Sequence, residues 1–466
     1  MPQFDRSSAP LRFLACLLAA GGFVAGAAHA EGDPAVTGAV SGAPTVSTVR
    51  VVTPDLQQLS PKLADSIAPI GDADLWDRIR RGFQVPDLTG PLVDRKEEFF
   101  LARPGHVLRV SERARQYLYQ IVEEVEKRGM PTEIALLPFI ESSFNPMALS
   151  RAKALGMWQF MPATGRDFGL RQNLFQDDRR NVVESTRAAL TYLDKLHTMF
   201  GDWHLAFAAY NWGEGAVSRA IEANRKRGMP TDYESLRMPD ETRAYVPSLQ
   251  AVKNIVADPA QFNLQLPRID DAENYVAIGK TGDIDVRLAA QFAGLTLEEF
   301  RALNPSFHQP IIVAANEAQI VLPKDRVEQF LDNLSFFEGQ LSSFTAYVMR
   351  AGETLDNIGP RFGTTAAALR DLNSIPSNAR PKAGSTLIVP RMATLATDIP
   401  QAIAETASLS LEQPRAGKPK PGKAGAAPAR VSGKIRTAAS STQPVRAKAV
   451  TAKTSAARTK AVTRKP

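Results

Sequence analysis

Apolar positions change their rhythm twice along this chain. From about Asp72 to Ala260 they recur at helical spacing. Tyr117, Leu118, Ile121, Val122 and Val125 share one helix face, and Gly129 stops that helix. Pro131 suits a first helical position, and Ile134 to Ile140 is almost wholly apolar. Asn181 with Glu184 three residues on reads as a capping pair. Leu193, Leu196 and Phe200 then share a face ahead of Gly201. Asp202 suits the cap of a helix running to Tyr210, and Ala216 to Ala223 begins the next. No alternating strand pattern occurs here, so the stretch predicts an all-helical domain.

After Pro267 the texture becomes that of small mixed modules, and two stretches resemble each other. Tyr275-Val276 precedes Gly282-Asp283, a helix-like run at 288–292, Leu303-Asn304-Pro305 and a closing Ile320-Val321-Leu322-Pro323. Tyr347-Val348 precedes Gly352-Glu353-Thr354-Leu355, then Ile358, Phe362, Leu372-Asn373 and a closing Leu387-Ile388-Val389-Pro390. Tyr to Asn spans 29 residues in the first and 26 in the second; Asn to the last Pro spans 19 and 17. Each unit reads strand, helix, helix, strand, and a repeat of this kind is a packing unit before it is a functional one.

The two ends carry different signals. Arg6 and Arg12 precede an apolar run from Phe13 to Ala28, and Ala28-His29-Ala30 offers the small residues of a cleavage site. That order reads as a secretory signal over 1–30, too short and Gly-rich for a membrane span of about 20 residues. Phe13-Leu14-Ala15-Cys16 opens a rival reading, a lipid-modified cysteine. Against it, most of the apolar run follows Cys16, whereas a lipoprotein signal has it before. Cys16 is also the single cysteine, which excludes a disulfide framework and a cysteine metal cluster. Cleavage near Ala30 leaves a mature chain without cysteine, which suits a periplasmic, oxidising envelope. Residues 31–94 read as a flexible leader and N-terminal extension. The map then runs through a helical domain at 95–262, the two modules at 268–325 and 344–391, and a tail at 392–466.

Charge is uneven in the same sense. The formal net charge is +7, yet residues 413–466 alone hold fourteen Lys and Arg and no acid, so the rest is net −7. Such a segment, without aromatics, is expected to be disordered. Its cations suit contact with an anionic surface, and a secretory signal argues against nucleic acid as a partner. No signal bears on oligomeric state.

Four strings in the helical region carry candidate chemistry: Glu141-Ser142-Ser143-Phe144-Asn145-Pro146, Gly156-Met157-Trp158-Gln159, Ala209-Tyr210-Asn211-Trp212-Gly213-Glu214 and Glu241-Thr242-Arg243-Ala244-Tyr245. Glu141 follows an apolar helix, where desolvation disfavours the charged carboxylate and keeps a proton available for general acid work. A lone helix-terminal Glu is otherwise a surface ion-pair partner. Gly156 removes a side chain where a ligand could approach the backbone. Trp158, Tyr210 and Trp212 offer sugar-stacking faces, and Gln159 and Asn211 paired donors and acceptors; each aromatic, taken singly, also suits a core. His106, His197, His204 and His308 show no ligand spacing, so no metal and no cofactor are expected.

In this order and spacing the strings resemble the lytic transglycosylases of the goose-lysozyme-like superfamily, and most closely the membrane-bound lytic murein transglycosylase D group. The two repeats resemble lysin motifs (LysM), the first in degenerate form. The resemblance covers about residues 95–260 and implies a mainly α, lysozyme-like catalytic domain followed by two α+β LysM-type modules. It also implies cleavage of the β-1,4 bond between N-acetylmuramic acid and N-acetylglucosamine in peptidoglycan, leaving a 1,6-anhydro end. By the same resemblance Glu141 is catalytic, and Ser142, Gly156, Trp158, Gln159, Tyr210, Asn211 and Tyr245 bind substrate. Gly352, Glu353, Thr354, Asn373 and Ile375 are the expected glycan contacts of the second module. Glu214 and Glu241 are the candidates should a second carboxylate exist. Two other readings stay open: a hydrolytic muramidase sharing the same acid, and a non-catalytic wall-binding scaffold.

Overall fold

The computed structural model describes residues 73–279, 282–392 and 397–412. The signal and lipid-anchor readings, residues 31–72 of the expected leader and residues 413–466 of the expected tail lie outside the described residues. Both expected boundaries move. The helix Leu75–Arg81 packs Leu75, Trp76 and Ile79 into the helical core, so 73–94 is not flexible leader. Gln401–Thr406 and Leu411–Glu412 form a helix and a strand with Ile399, Ala404 and Ala407 buried, so 397–412 is not disordered tail.

The first body is helical: α1 Leu75–Arg81, α2 Pro91–Leu101, α3 Pro104–Ala114, α4 Leu118–Lys127, α5 Leu137–Glu141, α6 Pro162–Asp167, α7 Val182–Phe200, α8 Trp203–Trp212, α9 Glu214–Arg225 and α10 Asp240–Ala257. Their apolar faces form one core, with Trp76, Leu118, Ile121, Leu136, Phe144, Trp158 and Phe207 almost fully buried. Asp202 caps α8 by accepting from the Leu205 amide at 2.8 Å. Gly201 ends α7 in the left-handed conformation at φ 68°, where a Cβ would be strained.

Two local expectations change. Pro131 does not begin an α-helix: its backbone is extended, and Thr132–Leu136 forms a 3₁₀ segment that runs into α5. The tertiary reason is that this segment anchors the chain elsewhere. Thr132 Oγ1 donates to the Ile79 carbonyl at 2.6 Å, and the buried Glu133 carboxylate accepts from the Gln84 and Val85 amides and pairs with Lys253 at 3.0 Å. The Asn181 cap is one-sided: its side chain accepts from Val183 and Glu184 amides, while the Glu184 carboxylate turns to Arg187 at 2.9 Å.

The first module contains β1 Tyr275–Ile278, β2 Ile284–Asp285, α11 Val286–Phe292, α12 Leu297–Leu303, β3 Ile311–Ile312, β4 Ile320–Pro323 and α13 Val327–Ser335. The second contains β5 Phe344–Val348, α14 Leu355–Ile358, α15 Ala366–Leu372, β6 Arg380–Pro381, β7 Thr386–Pro390, α16 Gln401–Thr406 and β8 Leu411–Glu412. In each, the long strands pair antiparallel, β1 with β4 and β5 with β7. The closing prolines match between repeats but the opening tyrosines do not. Tyr275 lies opposite Pro323, whereas Pro390 lies opposite Phe344, three residues before Tyr347.

The modules are not separate beads. Phe175, from the loop before α7, is buried with Ile311 and Val313 of the first module, Ile388 of the second, and Ile399, Ala404 and Ala407. Asp283, which follows Gly282 as Glu353 follows Gly352 in the second repeat, is fully buried and pairs with Arg391 of the second module at 3.1 Å. It also accepts from the Ala314 and Ile399 amides at 2.8 Å. Asp285 accepts from Ser342 Oγ and the Ser343 amide at 3.0 Å. Asp283 and Asp285 of the first module therefore tie it to the segments that open and close the second.

Candidate active site

Glu141 is the last residue of α5, and the chain reverses immediately after it. Ser143 and Phe144 both have left-handed backbones, at φ 55° and 53°. Two consecutive non-glycine residues in that region are strained, and such strain persists only where the surroundings hold it. Here Phe144 is fully buried against Phe139, and its amide returns to the Pro138 carbonyl at 3.0 Å. The turn leaves Glu141 half-buried beside α8 and α10.

Burial pushes the Glu141 carboxyl up to about 7; the nearby Glu241 charge adds to this, and a hydrogen bond from Tyr245 opposes it. Tyr245 Oη donates to Glu141 Oε1. Tyr245 and Tyr210 are themselves held neutral, first by burial and then by the Glu141 charge. The second-carboxylate candidates differ. Glu241 is exposed. Glu214 is tied to Tyr192 Oη at 2.7 Å and Lys195 at 3.1 Å, and the tyrosine bond holds it below the usual carboxylate range.

The other motif residues converge on the loop 148–160, which faces the end of α5. Ser142 Oγ donates to the Met157 carbonyl at 2.8 Å, and Tyr210 Oη donates to the Trp158 carbonyl at 2.9 Å. Gln159, left-handed at φ 52°, donates from Nε2 to the Gly156 carbonyl at 2.7 Å and the Ala148 carbonyl at 3.2 Å. Asn211 accepts from Thr242 Oγ1 at 2.8 Å, which fastens the end of α8 to α10.

Four expected contacts have other roles. Trp158 is fully buried, and its Nε1 donates to Thr186 Oγ1 at 2.9 Å, so its ring is core and presents no face to a sugar. Gly156, at φ 88°, is small because of the protein itself: a Cβ there would lie 1.7 Å from the Arg179 carbonyl oxygen. In the second module, Asn373 donates to the Leu369 and Ile388 carbonyls at 2.9 and 2.8 Å and accepts from the Ile388 amide at 2.7 Å. Asn304 makes the same three bonds to Phe300 and Val321 in the first. The repeated Asn is thus a buried clamp between helix and last strand. Ile375 is buried in the same core. Of the remaining loop residues, Gly352 is exposed at φ 81°, Thr354 caps α14, and Glu353 accepts from Tyr347 Oη at 2.7 Å and pairs with Arg361.

Sequence reasoning passed over Arg179. It sits in Asp177-Asp178-Arg179-Arg180, which reads as a solvated charged turn, yet it is buried and reaches the carbonyls of the motif loop. Among the described residues no group of three His, Cys, Asp or Glu could hold a metal ion.

A helical domain with one poised acid, held against a strained loop and followed by two strand–helix–helix–strand modules, defines a glycan-cleaving enzyme with wall-binding repeats. Residues 119–231 match the transglycosylase SLT domain, 277–338 the LysM-like domain of lytic transglycosylase MltD, and 347–390 the LysM domain. Membrane-bound lytic murein transglycosylase D of Escherichia coli (strain K12) is 33% identical over 342 residues, covering 70% of this chain and 74% of that one. The chain belongs to that family. Membrane-bound lytic murein transglycosylase C of Haemophilus ducreyi is 33% identical over 130 residues, 25% of this chain and 35% of that one. Among solved structures, an inactive mutant of lytic transglycosylase Slt from Pseudomonas aeruginosa is similar at 26% identity, with a TM-score of 0.24, covering 33% of this chain and 25% of that chain.

Proposed function

We propose that the chain is a peptidoglycan lytic transglycosylase in which Glu141 acts first as acid and then as base. The observation that carries this is a single carboxyl raised to about 7 and hydrogen-bonded by a neutral tyrosine. Tyr245 engages Oε1, so Oε2 carries the proton. Glu141 donates it to the glycosidic oxygen as the C1–O4 bond breaks, and the substrate's acetamido carbonyl oxygen bonds to C1 in its place. The ionised Glu141 then takes the proton of the sugar's own O6 hydroxyl. O6 attacks C1 and displaces the acetamido oxygen, which closes the 1,6-anhydro ring without water. One residue returns to its starting state, so no second carboxylate is required.

In this reading Tyr245 steadies Glu141, Ser142 ties the end of α5 to the motif loop, and Gln159, Tyr210 and Asn211 shape the rim that meets the saccharide. Gly352–Thr354 offers the glycan-facing loop of the second module. The envelope is the compartment where this substrate lies, reached through the signal at 1–30, with the basic tail adding contact to anionic wall or lipid groups. Among the described residues no helix is long and apolar enough to cross a membrane.

Mass spectrometry of products from purified sacculi tests the reaction. Muropeptides lighter by one water than their hydrolysed counterparts are expected. Products of full mass would instead establish the muramidase, and intact sacculi the scaffold.

A further inference from the structure

The loop 148–160 supplies the carbonyls that Ser142 and Tyr210 grip, yet it has little regular structure of its own. It holds only isolated bridges, Leu149 with Leu155 and Leu155 with Phe160. Besides Ser142, Tyr210 and the Trp158–Thr186 bond, it is supported by Arg179. Arg179 Nη1 donates to the Lys153 carbonyl at 3.1 Å and the Phe160 carbonyl at 3.3 Å, near the middle and at the end of the loop. Its Nε and Nη2 bond the Asp177 carboxylate at 3.0 and 2.7 Å. The aliphatic stem crosses Gly165 of α6, where a Cβ would come within 3.2 Å of it, and the Arg179 carbonyl occupies the space a Gly156 side chain would need. Backbone and guanidinium of one residue thus brace the same loop. A planar fork suits this, because it serves two carbonyls and a carboxylate at fixed angles.

The turn that leads into Arg179 is itself held by the modules. The Asp177 amide donates to the Ser306 carbonyl at 3.1 Å, Gln176 bridges Phe307, and Arg171 pairs with Glu317 at 3.0 Å, all in the first module. The Leu174 amide donates to the Ala407 carbonyl at 3.0 Å, and Phe175 is buried among residues of both modules.

We propose that Arg179 is a positioning residue for glycan cleavage, and that docking of the two modules on the 171–179 loop holds it in place. The modules then serve turnover itself as well as retention on the wall. The proposal rests on the reading of Glu141 as the acid: the loop carbonyls fix Ser142 and Tyr210, and with them the surroundings of Glu141. The groups facing that carboxyl are Tyr245, Tyr210 and Glu241.

The test uses the full chain and a short soluble glycan, so that wall retention plays no part. Arg179→Gln loses the fork and is expected to lower kcat by about 10- to 100-fold with KM within about twofold, the scale of a misplacement near 1 Å. Arg179→Lys keeps one charged donor and recovers part of the loss. Phe175→Leu, which loosens the docking while keeping most of the buried volume, also lowers kcat and leaves KM unchanged. Glu141→Gln is the control. If that variant cleaves normally, the reading of the acid fails. If it is inactive while folded Arg179→Gln keeps wild-type kcat, the positioning role alone is overturned. Should Arg179→Gln fail to fold by circular dichroism, wild-type kcat in both Arg179→Lys and Phe175→Leu overturns it.

Discussion

Glu141 illustrates how burial can favour activity at the expense of stability. A carboxyl that ionises near 4.5 in the unfolded chain and near 7 in the native site binds its proton more tightly when folded. Stability on this account falls as pH rises from about 4.5 to 7, and the full penalty persists above that. Glu141→Gln removes the penalty and the proton transfer together. It is expected to lose activity by about 10²–10⁴-fold or more. It should melt above the wild type at pH 8, with the gap closing below about pH 4.5, where both chains are neutral at this position. Calorimetry at the two pH values checks this. Tyr245→Phe makes a second prediction. The lost hydrogen bond is the one that draws the carboxyl down, so its removal raises the pKa and moves the alkaline limb of kcat/KM to higher pH. A limb that stays put or moves down in a measured pH profile contradicts the assignment of that limb to Glu141.

At the scale of elements, helices and loop share the site. Helices α5, α8 and α10 bring Glu141, Tyr210 and Tyr245 to the same place, and the carbonyls of the loop 148–160 accept from Ser142 and Tyr210. The repeats show the converse, a polar residue that looks exposed and is internal. Asn373→Ala would leave the amide and carbonyl of Ile388 unpaired in the core, while the Leu369 carbonyl keeps the residue-373 amide, at a cost of about 1–3 kcal/mol for a buried unsatisfied group. It should lower the melting temperature and weaken sacculus retention only as far as the module unfolds. Retention lost at unchanged melting temperature would make Asn373 a glycan contact instead.

At the scale of the molecule, removing residues 344–391 is a poor test of wall binding, because Ile388 helps cover Phe175 and the first module. Substitutions in the exposed Gly352–Thr354 loop separate binding from assembly more cleanly. The tail can be removed, since an end at Glu412 retains β8 and its pairing with β6. A chain ending there is expected to associate less with sacculi and anionic vesicles at low salt. It should match the full chain at 1 M salt, where the screening length is about 3 Å. Equal association at both salt concentrations would remove the tail as an anchor.

The sequence by itself determined most of the helices and the two repeats, because helical periodicity and capping residues are local signals. It also placed Glu141 at the end of an apolar segment, which is the local half of its raised pKa. Only the tertiary structure decided what faces that carboxyl. Tyr245 lies on another helix more than a hundred positions along the chain, and no spacing rule connects the two. The same holds for Trp158, Gly156 and Asn373. Their residue types suit ligand contact and core equally, and which role applies depends on whether protein atoms already fill the space beside them. In each of these cases they do. Arg179 was hidden for the opposite reason, since a charged turn looks solvated until the fold sets the loop carbonyls and Asp177 around its guanidinium.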